Sequence, residues 1–109
     1  METIHKIGRR KTAVARVYLS EGKGEVTIND RKLDNYFTTE TLKYKVLQPL
    51  TLTENLSSYD IKAKVFGGGI TGQAEAIRLA ITRALVEVNE EFKSVLKPEG
   101  LLTRDPRVV

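Results

Sequence analysis

The N-terminal part of the chain contains two stretches in which apolar and polar side chains alternate, as in half-buried β-strands. The first, TAVARVYLS, has Ala13, Ala15, Val17 and Leu19 on one face and Thr12, Val14, Arg16 and Tyr18 on the other. In the second, EVTIND, Val26 and Ile28 share a face, and the glycine-containing segment EGKG separates the two stretches. We predict a β-hairpin from about Lys11 to about Asn29, preceded by a basic N-terminal segment over residues 1–10.

The next 20 residues, RKLDNYFTTETLKYKVLQPL, have a mixed pattern that predicts a short helical turn and then a second helix. Leu33, Tyr36 and Phe37 suit the helical turn, and the second helix would hold Leu42, Val46 and Leu47. Thr39 is a favourable N-cap for the second helix. Because proline interrupts a helix interior, we predict that this helix ends before Pro49.

A third strand is predicted by YDIKAKVF, in which Ile61, Ala63 and Val65 share one face and Lys62 and Lys64 face solvent. The strongest helical pattern in the chain follows the glycines after this strand. Its apolar stripe consists of Ala74, Ile77, Ile81, Ala84, Leu85 and Val88.

We predict Thr71 as the N-cap of this long helix, with Glu75, Arg78 and Thr82 on its solvent side. A last short helix is predicted from Asn89 to the residue before Pro98.

These elements predict a single α+β domain over residues 1–109, a two-layer sandwich of a mostly antiparallel sheet with helices on one face. The third strand, the long helix and the C-terminal segment could form one βαβ-like unit. At 109 residues the chain is large enough for one modest hydrophobic core.

Composition narrows the possible chemistry. The chain has no cysteine and one histidine, His5, which excludes disulfides, a thiol nucleophile and a cysteine-based zinc site. No apolar run approaches the ~20 residues of a membrane-spanning helix, and METIHKIGRRK lacks the apolar core of a signal peptide. We expect no cofactor, no metal, no membrane partner and a cytoplasmic location.

The basic charge is concentrated at the N-terminus. Residues 1–24 hold six basic and two acidic side chains, a net charge of +4, whereas residues 25–109 hold twelve of each. This asymmetry favours a surface that contacts an anionic partner, although a charged stretch can also be merely solvated.

The glycine-rich segment VFGGGITGQA lies between the predicted third strand and the long helix, a position at which proteins often hold phosphate. Gly67, Gly69 and Gly72 satisfy the spacing G-x-G-x-x-G, but the chain lacks a second strand carrying the acidic residue of a dinucleotide site. Gly67 and Gly72 also have P-loop spacing, but Gln73 and Ala74 stand where a lysine and a hydroxyl residue are needed.

Three interpretations of these glycines stay open. Backbone N–H groups from Gly67 to Gly72, with Gln73 and Arg78 as side-chain donors, could hold an RNA phosphate at the start of the helix. A small glycine-loop enzyme that binds a nucleotide or phosphate is the alternative function. The glycines, Gly68 in particular, could also serve only a tight turn that packs the helix on the sheet.

The basic strand KIGRRKTAVARV favours nucleic-acid binding. Arg9, Arg10 and Lys11 are consecutive, so an extended chain directs them to both sides. Arg16 and Thr12 add a further cation and a hydroxyl, and arginine pairs bidentately with phosphate. Because the aromatic residues are few and scattered, folded RNA fits better than single strands bound by stacking. The alternative is a charged edge that prevents aggregation.

Several motifs together resemble one family. IGRRKTAVARV, GKGEVTIN, VFGGGITGQAEAIRLAITRAL and LKPEGLLTRDPRVV occur in the order found in bacterial-type small-subunit ribosomal protein nine, from Ile4 to Val109. The resemblance implies a non-enzymatic, RNA-binding component of the head of the small ribosomal subunit, near the peptidyl site. It also implies a fold similar to the second domain of ribosomal protein five, with a left-handed βαβ crossover.

The implied partners are the three-prime major domain of 16S rRNA and the neighbouring head proteins, ribosomal proteins ten and fourteen. The candidate RNA-binding residues, which match the basic and glycine motifs or, like Lys6, adjoin them, are Lys6, Arg9, Arg10, Lys11, Thr12, Arg16, Gly67, Gly68, Gly69, Gly72, Gln73, Arg78, Arg104 and Arg107.

Members of this family normally continue after TRDPR into a long basic tail that reaches transfer RNA in the peptidyl site. The chain stops at Val109, so residues 101–109 would be the start of a truncated extension. Either the natural protein lacks the tail or the tail has been trimmed, and we expect trimming. A contact with transfer RNA would then belong to the tail alone.

Overall fold

A computed structural model describes residues 3–96. The strands are β1 (Ile4–Arg10), β2 (Ala13–Glu21), β3 (Val26–Ile28), β4 (Arg31–Lys32) and β5 (Tyr59–Phe66). The helices are α1 (Leu33–Tyr36), α2 (Glu40–Leu52), α3 (Ile70–Val88) and α4 (Phe92–Leu96).

The strands form one sheet in the order β1-β2-β5-β3-β4, and every neighbouring pair is antiparallel except β3 and β5. The predicted α+β sandwich with a mostly antiparallel sheet is therefore confirmed. The parallel pair is connected through α1 and α2, so the β-α-β unit comes earlier in the chain than predicted. The predicted unit through α3 would end in residues outside the described part of the chain.

The predicted hairpin from Lys11 to Asn29 is wrong. β2 pairs with β1 through the Lys11–Thr12 turn, and β5 lies between β2 and β3. Residues 4–10 thus form an edge strand, where only a basic segment was predicted. Lys11 adopts a φ of 56°, the left-handed conformation that this two-residue turn requires.

The core lies between the sheet and the helices. Ala13, Ala15, Val17 and Leu19 of β2 are all fully buried, and they face the same layer as Ile61, Ala63 and Val65 of β5. α3 packs across β1 and β2, and α2 packs beside α3. In the described part of the chain, helices cover only this side of the sheet, and the other side is its open face.

Two predicted details of the helices are wrong. α2 continues through Pro49 to Leu52, because Leu50 is buried in the core and both the backbone N–H and the hydroxyl of Thr53 donate to the Pro49 carbonyl. Thr82 is fully buried, because α2 packs against the side of α3 that was predicted to face solvent. Thr39 does cap α2 and accepts a hydrogen bond from the Leu42 N–H, as predicted.

Candidate nucleic-acid interface

The alternation of β1 sends its cations to opposite sides of the sheet. Lys6 and Arg10 are paired in register with Val17 and Ala13, which face the helices. Paired residues on neighbouring strands share a face, so Lys6 and Arg10 lie on the helix side. Arg9, between them, is exposed on the open face.

The two helix-side cations form ion pairs with α3. Lys6 Nζ lies 3.0 Å from Glu87 Oε1. Arg10 Nε donates to Glu75 Oε1 at 2.8 Å, and Lys45 Nζ of α2 contacts the other oxygen of the same carboxylate at 3.2 Å. Glu75 therefore connects β1, α2 and α3. Partial burial alone would raise the pKa of Glu75, but the hydrogen bonds from Arg10 and Lys45 outweigh it and lower that pKa.

Gly8 lies between Lys6 and Arg10 and is buried against α3. A side chain at Gly8 would overlap the Ala76 carbonyl oxygen and approach the Ala80 backbone nitrogen to 2.7 Å. The absence of a side chain at Gly8 therefore lets α3 lie close to β1.

Four cations of β1, β2 and β5 lie on the open face, and we call this group the basic face: Arg9, Arg16, Lys62 and Lys64. Arg16 of β2 is directly opposite Lys64 of β5, and Lys62 is opposite Tyr18. Within residues 3–96, Arg9, Arg16 and Lys62 form no ion pair, and Lys64 contacts only Asp30, at 3.5 Å in a well-exposed pair. Like charges placed directly across two strands destabilise a sheet. A bound polyanion would remove that repulsion.

The acidic residue Asp60 of β5 points to the same side but does not neutralise the basic face. Its Oδ1 accepts hydrogen bonds from the backbone N–H groups of Lys23, Gly24 and Glu25, at 3.0, 3.1 and 2.9 Å. The bonds from Glu25 and Lys23 lower the pKa of Asp60 most strongly. Asp60 thus holds the loop between β2 and β3 at the far end of the sheet.

The glycine loop packs against the turn between β1 and β2. Gly67 and Gly68 have φ values of 80° and 60°, which favour glycine. A side chain on Gly67 would collide with the Thr12 carbonyl oxygen, and one on Gly68 would lie 3.0 Å from the Ala13 nitrogen. The two sequence motifs, GRRKT and GGG, therefore meet at one corner, which we call the glycine corner.

Gln73 holds this loop in place. Its Nε2 donates to the Gly67 carbonyl at 3.1 Å, and its Oε1 accepts from the Tyr36 hydroxyl at 2.8 Å. Both ends of the amide are therefore engaged by protein groups. The α3 N-cap is Gly69, so the prediction of Thr71 is wrong, and no side chain caps the helix. Apart from Gly69 itself and its two chain neighbours, no heavy atom of residues 3–96 lies within 4 Å of the position that a Gly69 side chain would take.

Arg78 does not belong to the glycine corner. It lies two turns into α3, roughly 12 Å from the helix start, and its Nη1 donates to Gln48 Oε1 of α2 at 3.1 Å. Burial lowers its pKa. The structure thus places Arg78 between two helices, where it supports their packing. Arg104 and Arg107 lie outside the described residues.

The described residues 3–96 contain no cluster of three or more His, Cys, Asp or Glu side chains able to hold a metal ion. Within the same residues, no helix is long and apolar enough to cross a membrane.

Comparison with known proteins decides the family. The sequence model of the family described as ribosomal protein S9/S16 matches residues 8–109. Small ribosomal subunit protein uS9 of Christiangramia forsetii is 69% identical over 109 residues, which is all of this chain and 85% of that protein. The protein of the same name from Flavobacterium psychrophilum is 62% identical, and that from Cytophaga hutchinsonii 58% identical, each over the same shares.

The chain belongs to the ribosomal protein S9 family. Its relatives are named as ribosomal proteins and not as enzymes, so the predicted family and the predicted absence of enzymatic function are confirmed. The alternative of a small glycine-loop enzyme is not supported.

Two cations of the basic face, Lys62 and Lys64, were not among the predicted RNA-binding residues. Lys62 and Lys64 were predicted to face solvent, but without the strand order their strand could not be placed beside Arg16. The sequence signal for this surface was present in YDIKAKVF, where both of the solvent-facing positions between the buried residues are lysines. Phe66, exposed at the end of the same strand, was not among the predicted residues either.

Proposed function

We propose that this protein is a structural component of the small-subunit head that binds 16S rRNA, mainly through backbone phosphates, and supports translation near the peptidyl site. Membership of the S9 family supports a ribosomal role, and the names of the relatives support the small subunit. The observation that carries the RNA contact is the basic face, where Arg16 and Lys64 lie directly opposite each other.

The basic face suits a sugar–phosphate backbone because its cations lie side by side on three neighbouring strands. Arg16 and Lys64 lie opposite each other on β2 and β5, and Arg9 of β1 lies in the next row of the sheet. Within residues 3–96, the only acidic contact of these three cations is the exposed pair between Lys64 and Asp30. Exposed ion pairs contribute little, so Lys64 remains available to phosphate. Arginine contributes paired donors and lysine a point charge, a combination that binds phosphate without reading base sequence.

The glycine corner provides a second phosphate contact in this proposal. The N–H groups of Ile70, Thr71 and Gly72 belong to the first turn of α3, where a helix has no acceptors of its own. Residues 3–96 leave the space beside Gly69 open, and Lys11 lies in the adjoining turn. The positive end of the α3 dipole favours an anion at this position.

The predicted residues then divide by role. Arg9, Lys11, Thr12 and Arg16, together with Gly69 and Gly72, would contact RNA. Lys6, Arg10, Gly67, Gly68, Gln73 and Arg78 would shape the surface from within, because each is engaged by a protein group or packs against one. Arg104 and Arg107 are proposed contacts on the family pattern alone.

The proposed partners are the three-prime major domain of 16S rRNA and the head proteins ten and fourteen, as the family pattern implies. The chain spans 85% of the length of its relatives. Contact with transfer RNA at the peptidyl site is proposed only for the basic tail of the family pattern.

The salt dependence of RNA binding tests this proposal. Affinity for RNA falls with salt, so the slope of log affinity against log salt is negative. We expect the double variant Arg16→Gln/Lys64→Gln to make this slope less steep by about two, because two phosphate contacts are lost. The matched control Lys43→Gln/Lys93→Gln removes the same charge from α2 and α4 and should leave the slope unchanged. Equal slopes for the two double variants would contradict the proposal.

A further inference from the structure

Phe66 is an exposed aromatic residue on the basic face. It is the last residue of β5, and alternation along the strand places it on the same side as Lys62 and Lys64. Phe66 is 56% exposed, whereas the preceding residue, Val65, is only 4% exposed. A large apolar side chain thus projects from the surface that carries the cations.

The neighbours of Phe66 are set by the strand register. Val14 of β2 is directly opposite, and Arg9 of β1 is the next residue in that row. Arg16 and Lys64 form the adjacent row, within reach of a long side chain on a sheet surface. In the described residues, the Phe66 ring forms no aromatic or cation–π pair, unlike His5 and Tyr18, which stack on each other at 4.5 Å.

Phe66 has no evident structural purpose. Among residues 3–96, it belongs neither to the hydrophobic core nor to the partly buried residues packed against that core. β2 pairs with β5 up to Phe66, β3 pairs with it as far as Ala63, and beyond that point the Asn29 side chain bonds both backbone groups of Val65. The Phe66 side chain therefore does not protect a free sheet edge from pairing with another chain. A phenyl ring held in water beside several cations is the arrangement in which proteins stack on nucleic-acid bases.

We propose that Phe66 is a stacking platform for one unpaired RNA base, while Arg16 and Lys64 hold the phosphates beside that nucleotide. This inference rests on the proposed RNA binding and adds the class of ligand. The base must come from a loop or bulge, because base faces inside a duplex are already stacked. Phe66 is favoured over Tyr18 as the platform, because one face of the Tyr18 ring is already stacked on His5.

A tryptophan reporter tests the stack directly, because the chain contains no tryptophan. The variant Phe66→Trp keeps an aromatic ring and should bind a transcript of the 16S rRNA three-prime major domain with quenching of its indole fluorescence. Inorganic polyphosphate supplies the negative charge without bases, so it should leave the emission nearly unchanged. Unchanged emission with bound transcript would overturn the proposal.

A second variant separates stacking from charge. Phe66→Leu in the full-length protein should weaken transcript binding by about tenfold without changing the salt slope, because a ring is lost but no charge. Tyr44→Leu is the matched control, since Tyr44 is 60% exposed on α2, and it should leave affinity unchanged.

Equal affinities of Phe66→Leu and Tyr44→Leu would overturn the stack while leaving the phosphate contacts intact. Weaker retention of Phe66→Leu in assembled small subunits, with normal transcript affinity, would assign the ring to a protein neighbour and also overturn it. Failure of the unaltered protein to bind the transcript would instead contradict the proposed function itself.

Discussion

Arg9 and Arg10 are neighbours in the sequence, but they belong to two different regions of the molecule. Arg10 lies on the helix side of β1 and pairs with Glu75, whereas Arg9 lies on the open face, where no acidic side chain of residues 3–96 pairs with it. The same division holds for Lys6, paired with Glu87, and Arg16, which faces Lys64. A cluster of basic residues in a strand is therefore two groups, one that supports the fold and one that is available to an anion.

The largest expected effect is a loss of stability from a substitution at Gly8, on the helix side of β1. Gly8→Val should destabilise the protein by about 3 kcal/mol, because the new side chain would overlap backbone atoms of α3. Urea denaturation would measure the change. The matched control Arg9→Val places the same side chain on the open face and should change stability little. Similar losses for both variants would contradict the division of β1 into two sides.

Glu75 gives the next largest effect. Glu75→Gln should cost about 1 kcal/mol at neutral pH, because Arg10 and Lys45 lose a charged acceptor. Glu87→Gln, which breaks the more exposed pair with Lys6, should cost less. Thermal unfolding of the two variants would measure the difference, and a larger loss for Glu87→Gln would contradict the role assigned to Glu75.

The pH dependence of stability sharpens this test. The pKa of Glu75 is lowered in the folded state, so its stabilising contribution is complete above its ordinary value of 4.5. The contribution is lost as the pH falls through the lowered pKa. Unfolding measured from pH 7 downwards should therefore show a smaller acid-induced loss for Glu75→Gln than for the unaltered protein. Identical acid profiles would contradict this assignment.

Local patterns predicted much of the fold. The buried faces of β2, β3 and β5 and the apolar stripe of α3 followed directly from alternation and helical spacing. β1 was missed because Lys6, Arg9 and Arg10 place cations on both of its faces, which hides the alternation. The hairpin was wrong because the insertion of β5 between β2 and β3 depends on a contact distant in sequence.

The candidate site was also predictable only in part, because it depends on contacts between strands that are distant in sequence. The glycine corner and the cations of β1 and β2 could be found as motifs, but Lys62, Lys64 and Phe66 join them only through the pairing of β2 with β5. The sequence also could not show that α2 covers Arg78 and Thr82. The burial of a helix face depends on which other element packs there, and periodicity alone does not identify that element.

The most direct test of the two-sided strand compares Arg9→Gln with Arg10→Gln, the same substitution at adjacent positions. We predict that Arg9→Gln makes the salt slope of binding to the 16S rRNA three-prime major domain less steep by about one and leaves the free energy of unfolding unchanged. Arg10→Gln should instead lower stability by about 1 kcal/mol and keep the slope, because its partner is Glu75. A less steep slope for Arg10→Gln together with an unchanged slope for Arg9→Gln would contradict the account.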